Sequence, residues 1–505
     1  MLSSGAHGVR PDVPASNANQ RLPGHRGQRR DWYLVYCFVL LATISVLTLI
    51  EPDLMHWFLV PIIACGLIIG KDAVEWLTGR CDPFDPKGVI GILGVHLFVI
   101  APLAIALWDY DYDVAPSPQD WRPWLGIMAG LNAVGLLLYN GVARLVFRYL
   151  RFRPRRWLVD ENRALIILFP ALIITGLAQA YLWMRFGGLT GQIRGLRTEA
   201  LIYASGQFKY TLLGGAFPLI LLITLTVLRS RHDREKTNYS VAFIVLLLVL
   251  GLFFIASGLR GSRAATVWTL FWAVGILHYF WRRLDARIIL AGLIPVFLFM
   301  YLYGLYKAYG YQVFERYQES SGVAQLSERS GRTVKRLVVA DLSRADIQAF
   351  MVYRLVTAGS RYQLEWGATY AEAVPRVFLP SWIWAGRPRF ARKSYAGMKL
   401  HFGGPSPYGD RFSKVFGLAG EAMLNFHFVG VLFAFAVLGA LMGAYRRHFL
   451  SWQEYDARLF IAPFVANWFL STLVSDFNNL LSFALTKAAV PAFLLILICN
   501  RKTRR

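Results

Sequence analysis

Two arginines stand beside glycines at the end of an apolar segment, in a setting suited to binding an anion. Arg260 and Arg263 lie within four residues of each other, next to Gly258 and Gly261. The planar guanidinium group binds phosphate oxygens bidentately, and glycine allows a ligand to approach the backbone closely. Alternatively, both arginines reach to lipid head groups as long cationic side chains do at a membrane surface. The sequence therefore indicates either a phosphate site or a membrane-surface contact here.

Further along the chain, arginines stand beside prolines, which restrain the local backbone and would aim the side chains. Arg376 follows Pro375, and Arg387 and Arg389 flank Pro388. We expect these arginines to bind an anionic ligand. The alternative is that they form salt bridges with nearby acids and hold a loop together. For Arg376 the acids nearest in sequence are Glu372 and Glu365.

Glu421 is the leading candidate for a general base, because it directly precedes an apolar run. A carboxylate at a helix N-terminus is also favoured by the helix dipole, which offers a purely structural role for it. Asp410 and His401 are the alternative bases. Lys487 lies inside an apolar run, and an ionisable residue there suggests either a functional site or pairing with a helix carbonyl or water.

The elements that must position these residues are transmembrane helices. The chain has 505 residues, of which 56% are hydrophobic and 17% charged. Soluble domains are about 25% charged, and disordered chains are poor in apolar residues. A membrane helix needs about 20 predominantly apolar residues. Twelve runs meet or approach this length: residues 32–50, 54–70, 88–108, 123–142, 164–184, 210–228, 237–259, 264–281, 288–306, 422–445, 459–475 and 480–500.

The distribution of basic residues predicts the orientation of these spans. Short cytoplasmic loops carry an excess of Lys and Arg. Basic groups occur in the tail before the first run, after runs four, six, eight and ten, and at the chain end. All of them lie on one side if there are twelve spans and both termini are cytoplasmic. Residues 1–31 are polar and rich in Gly, Pro and Arg, which predicts a disordered cytoplasmic tail without a cleavable signal peptide.

The longest connection then lies on the outer side. Residues 307–421 separate runs nine and ten and carry seventeen Lys and Arg against nine Asp and Glu. Spacing of apolar residues from Val338 to Leu355 predicts a helix there, whereas Pro375, Pro380 and Pro388 predict extended segments. A loop of this length in a compact protein is usually functional. We therefore expect a periplasmic domain at 307–421, between helices at 32–306 and 422–500, with a basic tail at 501–505.

Several classes of function are disfavoured. None of the four cysteines lies in a predicted outer loop, so the sequence predicts no exported disulfide framework. No Cys/His metal spacing, phosphate-binding P-loop or dinucleotide fingerprint occurs. The net charge of +24 is interrupted by long apolar runs, which disfavours nucleic acid as a partner.

Three stretches resemble the bacterial O-antigen polymerase family, the oligosaccharide repeat-unit polymerases. The first is the Ser/Gly/Arg turn at 257–263. The second joins Trp366-Gly-Ala-Thr-Tyr370 to Val374-Pro-Arg376 and Gly386-Arg-Pro388. The third is the Gly-x-x-Gly-Glu stretch at 417–430, which continues through Asn425 and Phe426 to Gly430. Trp366 and Arg387 replace an aromatic residue and a lysine that are usual in the family, and Ala422 or Met423 stands where it usually has tyrosine.

The resemblance implies an all-α, C-class glycosyltransferase-like membrane enzyme that needs no metal or other cofactor. It would polymerise oligosaccharide repeat units linked to undecaprenyl pyrophosphate at the outer face of the bacterial inner membrane. Its partners would be these lipid-linked glycans, membrane lipids and a chain-length regulator protein. Catalytic roles would fall to Arg376, Glu421 and Arg263. Substrate-binding roles would fall to Arg260, Arg387, Arg389, Arg411, Tyr408 and Asn425. Outside the matching stretches, Arg194 and Arg197 form a further outer basic group that would either bind the second lipid-linked substrate or lie on an interfacial helix, and Lys487 would bind pyrophosphate if it faces a polar cavity.

Other functions remain open at this point. An O-antigen ligase shares the long outer loop and the arginine chemistry. A lipid-linked oligosaccharide flippase would spread its charges along a central cavity and lack a single large outer domain. A C-class mannosyltransferase would carry a large first outer loop, whereas only three residues separate the first two runs here.

Overall fold

The fold is almost entirely helical, because long apolar runs satisfy their own backbone hydrogen bonds as helices. It is a computed structural model that describes residues 28–112, 115–151, 155–185, 187–188, 212–232, 238–256, 263–318, 322–358, 362–379, 383–388, 391–403 and 414–503. The first nine long helices are α1 (Gln28–Ile50), α2 (Leu59–Leu77), α3 (Pro86–Leu107), α4 (Arg122–Tyr149), α5 (Glu161–Arg185), α6 (Phe217–His232), α7 (Tyr239–Ala256), α8 (Arg263–Phe280) and α9 (Ala286–Tyr309).

The segment predicted as the outer domain folds into short helices, followed by three helices from the last apolar runs. The short helices are α10 (Val313–Gln318), α11 (Val323–Ser330), α12 (Val334–Arg336), α13 (Ala345–Ala358), α14 (Ala368–Phe378) and α15 (Arg392–Phe402). The last three are α16 (Gly417–Phe449), α17 (Ala462–Val474) and α18 (Phe477–Ile498).

Among the described residues, eight helices are long and apolar enough to cross a membrane, so the chain is an all-α multi-pass membrane protein. The other four predicted runs also lie on helices. α7, α8 and α17 are apolar but shorter, and α2 carries Lys71, Asp72 and Glu75 in its second half. Each of the twelve predicted runs therefore coincides with a helix.

Several helix boundaries differ from the predicted ones, and three of these border the predicted tail or outer domain. α1 begins at Gln28, inside the predicted tail 1–31, of which residues 1–27 lie outside the described residues. α9 extends to Tyr309 and α16 begins at Gly417 rather than at residue 422. Pro375 lies inside helix α14 and not in an extended segment. The early start of α16 buries Glu421, a residue that a hydropathy boundary places outside the helix.

The loops predicted to share the cytoplasmic side contact one another. A two-stranded antiparallel sheet pairs β1 (Arg155–Val159) with β2 (Cys499–Thr503). Asp85, between α2 and α3, forms an ion pair with Arg446 near the end of α16, with 2.6 Å between carboxylate oxygen and guanidinium nitrogen. We call this the β1–β2 end of the bundle.

At the opposite end, the segment 307–421 covers the helices. α13 packs on α4, and α14 packs on the first turns of α18. Tyr112, in the loop before α4, donates its hydroxyl hydrogen to His401 of α15 across 2.9 Å. The described parts of the loop before α4, of the segment 307–421 and of the break before α18 therefore lie at one end, which we call the loop-domain end.

The C-terminal half of helix α16 packs on α4 through a close crossing. A Cβ atom placed on Gly439 would lie 2.5 Å from the carbonyl oxygen of Tyr139, and one on Gly443 would lie 2.4 Å from that of Ala143. Only glycine permits this approach, as is usual where membrane helices pack closely.

Candidate functional site

Two buried carboxylates lie at the loop-domain end, where helices α16 and α18 begin. The side chain of Asp476, the residue before α18, accepts hydrogen bonds from the backbone N–H groups of Phe416 and Gly417, at 2.7 and 3.3 Å. Glu421 of α16 in turn accepts from the N–H of Phe477, the first residue of α18, at 2.6 Å. Each acid therefore caps the other's helix, because the first N–H groups of a helix have no partner within it.

Three neutral or cationic side chains complete this cluster, which we call the acid pair site. Lys393 of α15 forms an ion pair with Asp476. Thr369 of α14 donates its hydroxyl hydrogen to Glu421 Oε1 across 2.9 Å, and Asn425 Nδ2 donates to Thr369 Oγ1 across 2.8 Å. Glu421 and Asp476 are 2% and 0% exposed. Both carboxylates are thus enclosed, and each has both oxygens in contact with a hydrogen-bond donor.

A break in α16 shapes the floor of the site. Phe426 and His427 have non-helical backbone angles, with φ of +58° at His427, so the first two turns form a separate short helix. The carbonyl oxygens of Leu424 and Asn425 then lack partners within the helix. They accept instead from the backbone N–H groups of Glu365 and Trp366. The segment before α14 is therefore bonded directly to the break.

The same segment turns sharply to reach the acid pair site. Trp366 and Gly367 have φ of +46° and +86°. Glycine adopts this left-handed region easily, whereas a tryptophan there is strained. The N–H of Gly367 donates to Asn425 Oδ1 at 2.9 Å, which holds the turn in place. Thr369 is thereby positioned over Glu421.

A group of cations surrounds the far side of α14, and we call it the loop cation cluster. Arg376 Nε donates to Glu372 across 2.9 Å, and Arg376 NH2 donates to the carbonyl oxygen of Pro388 across 2.8 Å. Arg387 NH1 donates to the carbonyl oxygen of Arg376 across 3.1 Å. Arg392 binds Glu365 through Nε, at 2.6 Å. The members are Arg376, Arg387, Arg392 and Lys399, with Glu365 and Glu372 as their acids.

The electrostatics of this cluster favour an anion. Partial burial, followed by the charge of Arg376, lowers the pKa of Arg387. The hydrogen bond and charge of Glu365 raise the pKa of Arg392. Arg387 is exposed, and the Arg392 and Lys399 side chains are each 51% exposed. A lowered arginine pKa beside another arginine marks a place where an added negative charge is stabilised.

Helix α14 links the two groups. Thr369 contacts the acid pair site, while Glu372 and Arg376, one and two turns later, belong to the loop cation cluster. Burial, followed by the charge of Glu421, raises the pKa of the neighbouring Tyr370. One short helix thus places a carboxylate and several guanidinium groups at the same end of the bundle.

The structure brings together four of the residues predicted from sequence: Arg376, Arg387, Glu421 and Asn425. Lys487 lies elsewhere, in a π-helical turn of α18 with its amine 5.5 Å from the ring centroid of Phe253 in α7. Arg263 is the first residue of α8. The remaining predicted site residues lie outside the described residues: Arg194, Arg197, Arg260, Arg389, Tyr408 and Arg411.

Arg376 already has the protein partners that the alternative interpretation named. Its guanidinium group binds Glu372, and its side chain is 9% exposed. Contact with a phosphate group requires exchange of one of these bonds. Its catalytic role stays a prediction.

Sequence reasoning missed Asp476, Lys393 and Thr369 as site residues. Asp476 stands in a two-residue break between the helices α17 and α18. An acid between two apolar segments is a sequence signal for a functional residue, and this signal could have identified Asp476. Lys393 and Thr369 carry no comparable signal. Their roles depend on contacts with residues more than fifty positions away.

Within the described part of the chain, no group of three or more His, Cys, Asp or Glu side chains is arranged to hold a metal ion. Comparisons with protein-family models, with curated proteins and with solved structures find no match to this chain.

Proposed function

We propose that this protein is a membrane glycosyltransferase that polymerises oligosaccharide repeat units linked to undecaprenyl pyrophosphate. The observation that carries the proposal is that α14 contacts buried Glu421 through Thr369 and also carries Arg376 of the loop cation cluster, so that both groups lie at one end of the helix bundle. A polymerase of this kind needs cations for the leaving pyrophosphate and a carboxylate for the proton of the attacking hydroxyl. The three motifs that resemble O-antigen polymerases include both groups.

In the proposed reaction, the acceptor sugar's hydroxyl oxygen attacks the anomeric carbon of the donor. The bond from that carbon to the pyrophosphate oxygen breaks, and the electron pair leaves with the lipid pyrophosphate. Arg376 and Arg387 stabilise the developing negative charge, for which bidentate guanidinium groups are suited. Glu421 accepts the hydroxyl proton. General-base assistance of this kind contributes about 100- to 10,000-fold.

Access to Glu421 requires movement of the segment that covers it. The carboxylate is 2% exposed, and Thr369 and the turn at Trp366 and Gly367 lie over it. We propose that substrate binding displaces this turn. The strained backbone of Trp366 supports that proposal, because relief of strain lowers the cost of opening.

The proposal includes twelve spans, cytoplasmic termini and a periplasmic loop domain in the inner membrane. Leu150, Ser330 and Leu450, changed singly to cysteine in a cysteine-free protein, test this arrangement with a membrane-impermeant thiol reagent. We expect label from outside at position 330 and from inside at 150 and 450. Inside-only labelling of position 330 would remove the basis for an outer active site.

The glycan profile of a strain that lacks this protein tests the reaction. We expect single repeat units to persist and long chains to disappear, with recovery on expression of the wild-type chain. Full-length chains retained on the carrier lipid would indicate a ligase. Repeat units trapped on the cytoplasmic side would indicate a flippase. Activity of the purified enzyme should also survive EDTA, and a requirement for Mg²⁺ or Mn²⁺ would contradict the proposed role of the arginines.

A further inference from the structure

Helix α9 is flanked by two apolar grooves at its N-terminal half, remote in sequence from the acid pair site. The first groove has a volume of about 600 Å³ and lies between α7, α8 and α9. The second has about 590 Å³ and runs along the exposed face of α9. Leu293 borders both grooves. Volumes of this size are typical of small-molecule sites.

Each groove has one arginine in its lining. Arg282 lines the first groove and Arg287 lines the second. The Arg282 guanidinium carbon lies 4.5 Å from the ring centroid of Tyr239, which lines the same groove. The rest of the first groove is mostly apolar, with Phe243, Leu277 and Val296 among its lining residues. Both sites thus combine a cationic group with an apolar interior.

Neither arginine has a carboxylate partner among the residues that the structure describes, whereas their neighbour does. Arg283 binds Asp82 with 3.2 Å between nitrogen and oxygen, at the β1–β2 end of the bundle. No described acid lies within ion-pair distance of Arg282 or Arg287. The positive charge at the two grooves therefore remains available to an external anion.

We propose that an anionic glycerophospholipid binds at α9, with its phosphate group at Arg282 and Arg287 and its acyl chains in the two grooves. The two grooves share a wall at Leu293, which suits a ligand with two chains and one head group. Basic pockets between membrane helices are known to favour anionic head groups, and each arginine near the surface contributes about 1 kcal/mol. A soluble phosphate would use only the arginines and leave the grooves empty.

The experiment measures lipid adducts of the full-length protein in neutral detergent by native mass spectrometry. The probes are phosphatidylglycerol and phosphatidylcholine with identical acyl chains. Two arginines at about 1 kcal/mol each predict phosphatidylglycerol binding roughly ten- to thirtyfold tighter. The double substitution Arg282→Gln and Arg287→Gln should abolish this preference. Arg144→Gln, which removes an exposed arginine from α4, should preserve it.

A second variant tests the groove rather than the charge. A Cβ on Gly292, which lines the first groove, would have no atom within 4 Å, so Gly292→Leu fills the groove without a backbone clash. This substitution should weaken the binding of both lipids. Gly251→Leu is the matched control, because Gly251 of α7 is equally open but outside both grooves. Melting temperatures of all variants show whether the fold is retained.

Three results would overturn the proposal. The first is equal binding of the two lipids by the wild-type protein. The second is a phosphatidylglycerol preference that survives the double arginine substitution, which would mean that the arginines only reach to the membrane surface. The third is displacement of phosphatidylglycerol by glycerol phosphate at similar concentration, which would mean that the grooves contribute nothing. None of these measurements depends on the glycosyltransferase activity.

Discussion

Buried charges are arranged differently at the two ends of the helix bundle. At the β1–β2 end each buried acid among the described residues has its own cation. Asp72 binds Lys87 at 2.7 Å, and Asp85 binds Arg446 at 2.6 Å. Further pairs at this end join Asp82 to Arg283 and Asp456 to Arg458.

At the loop-domain end, the two buried acids of the acid pair site have one described lysine beside them, whereas Asp346 and Glu365 at the same end have their own cations, Lys414 and Arg392. Asp476 binds Lys393, whereas Glu421 is held by a threonine hydroxyl and a backbone N–H. Beyond α14 the balance is reversed, since Arg376, Arg387 and Arg392 gather around Glu372 and Glu365. Negative charge is thus concentrated on one side of α14 and positive charge on the other.

This difference distinguishes charges that stabilise the fold from charges that can bind a ligand. In a one-to-one ion pair the two charges neutralise each other, so neither attracts a ligand strongly. Removing one partner leaves an uncompensated buried charge, which is destabilising. A carboxylate held by helix N–H groups and an arginine cluster with excess charge can each gain a new partner. We therefore expect substitutions in the ion pairs of the β1–β2 end to affect mainly stability, and substitutions in the acid pair site and the loop cation cluster to affect activity.

The largest effect is expected from Glu421→Gln. The amide keeps an acceptor for the N–H of Phe477 but cannot take a proton, so polymer formation should fall by about 100- to 10,000-fold. The measurement is chain length made per unit of folded enzyme. Glu328→Gln, at an exposed acid of α11, is the control. A lower melting temperature with normal activity would assign Glu421 to capping alone.

The next effect is expected at the opposite end. Arg446→Met leaves Asp85, which is 1% exposed, without its cation and should destabilise the protein by about 3–5 kcal/mol. The double variant with Asp85→Asn should recover much of that loss. Asparagine removes the charge and still caps α3, whose Lys87 N–H donates to Asp85 at 3.0 Å. Thermal melting in detergent measures both. Lost activity at an unchanged melting temperature would contradict the comparison.

Arg376 lies between these two cases, because it has both a structural partner and a proposed ligand. Arg376→Ala should reduce activity by about 100-fold, the loss typical of removing one preorganised donor. It should also lower the melting temperature, since Glu372 loses its partner. Arg376→Lys keeps the charge but loses the planar fork, so its activity should be intermediate.

A charge swap separates the two roles of Arg376. Arg376→Glu combined with Glu372→Arg should restore the melting temperature but not the activity. Restoration of both would mean that Arg376 only holds α14 in place. Stable Arg376→Ala enzyme that still makes full-length chains would exclude Arg376 from the reaction.

The helices and the grouping of their loops were predictable from the sequence, because hydropathy is local. All twelve apolar runs lie on helices, and the basic loops contact one another as expected. The acid pair site was only half predictable. The position of Glu421 before an apolar run identified it, but its partner Asp476 lies across a contact between two chain segments that no periodicity links.

The arginines show a second limit of sequence reasoning. Proline next to Arg376 suggested an extended segment, yet Pro375 lies in α14. The helix places Glu372 one turn before Arg376, so the ion pair follows from helical spacing. Because this segment was predicted to be extended, there was no reason in the sequence to prefer Glu372 over Glu365 as the partner of Arg376.

The smallest effect concerns pH and the contact between the loop domain and the bundle. His401 is 4% exposed, and its ring stacks on Phe350. Its Nδ1–H donates to the carbonyl oxygen of Gly397, so Nε2 accepts from Tyr112. Burial, with smaller contributions from the nearby Lys414 and Arg354, lowers the pKa of His401 to about 3.

In the unfolded chain the pKa of this histidine is about 6.5, so below that pH the unfolded state binds a proton that the folded state excludes. The contribution of His401 to the free energy of unfolding is therefore fully present above pH 6.5 and declines as the pH falls towards 3. At pH 5 the loss is about 2 kcal/mol. Melting temperatures between pH 7.5 and 5 should fall accordingly. His401→Gln, which does not titrate, should melt lower at pH 7.5 but show a weaker pH dependence. An equal pH dependence in the variant would mean that another group governs acid stability at the loop-domain end.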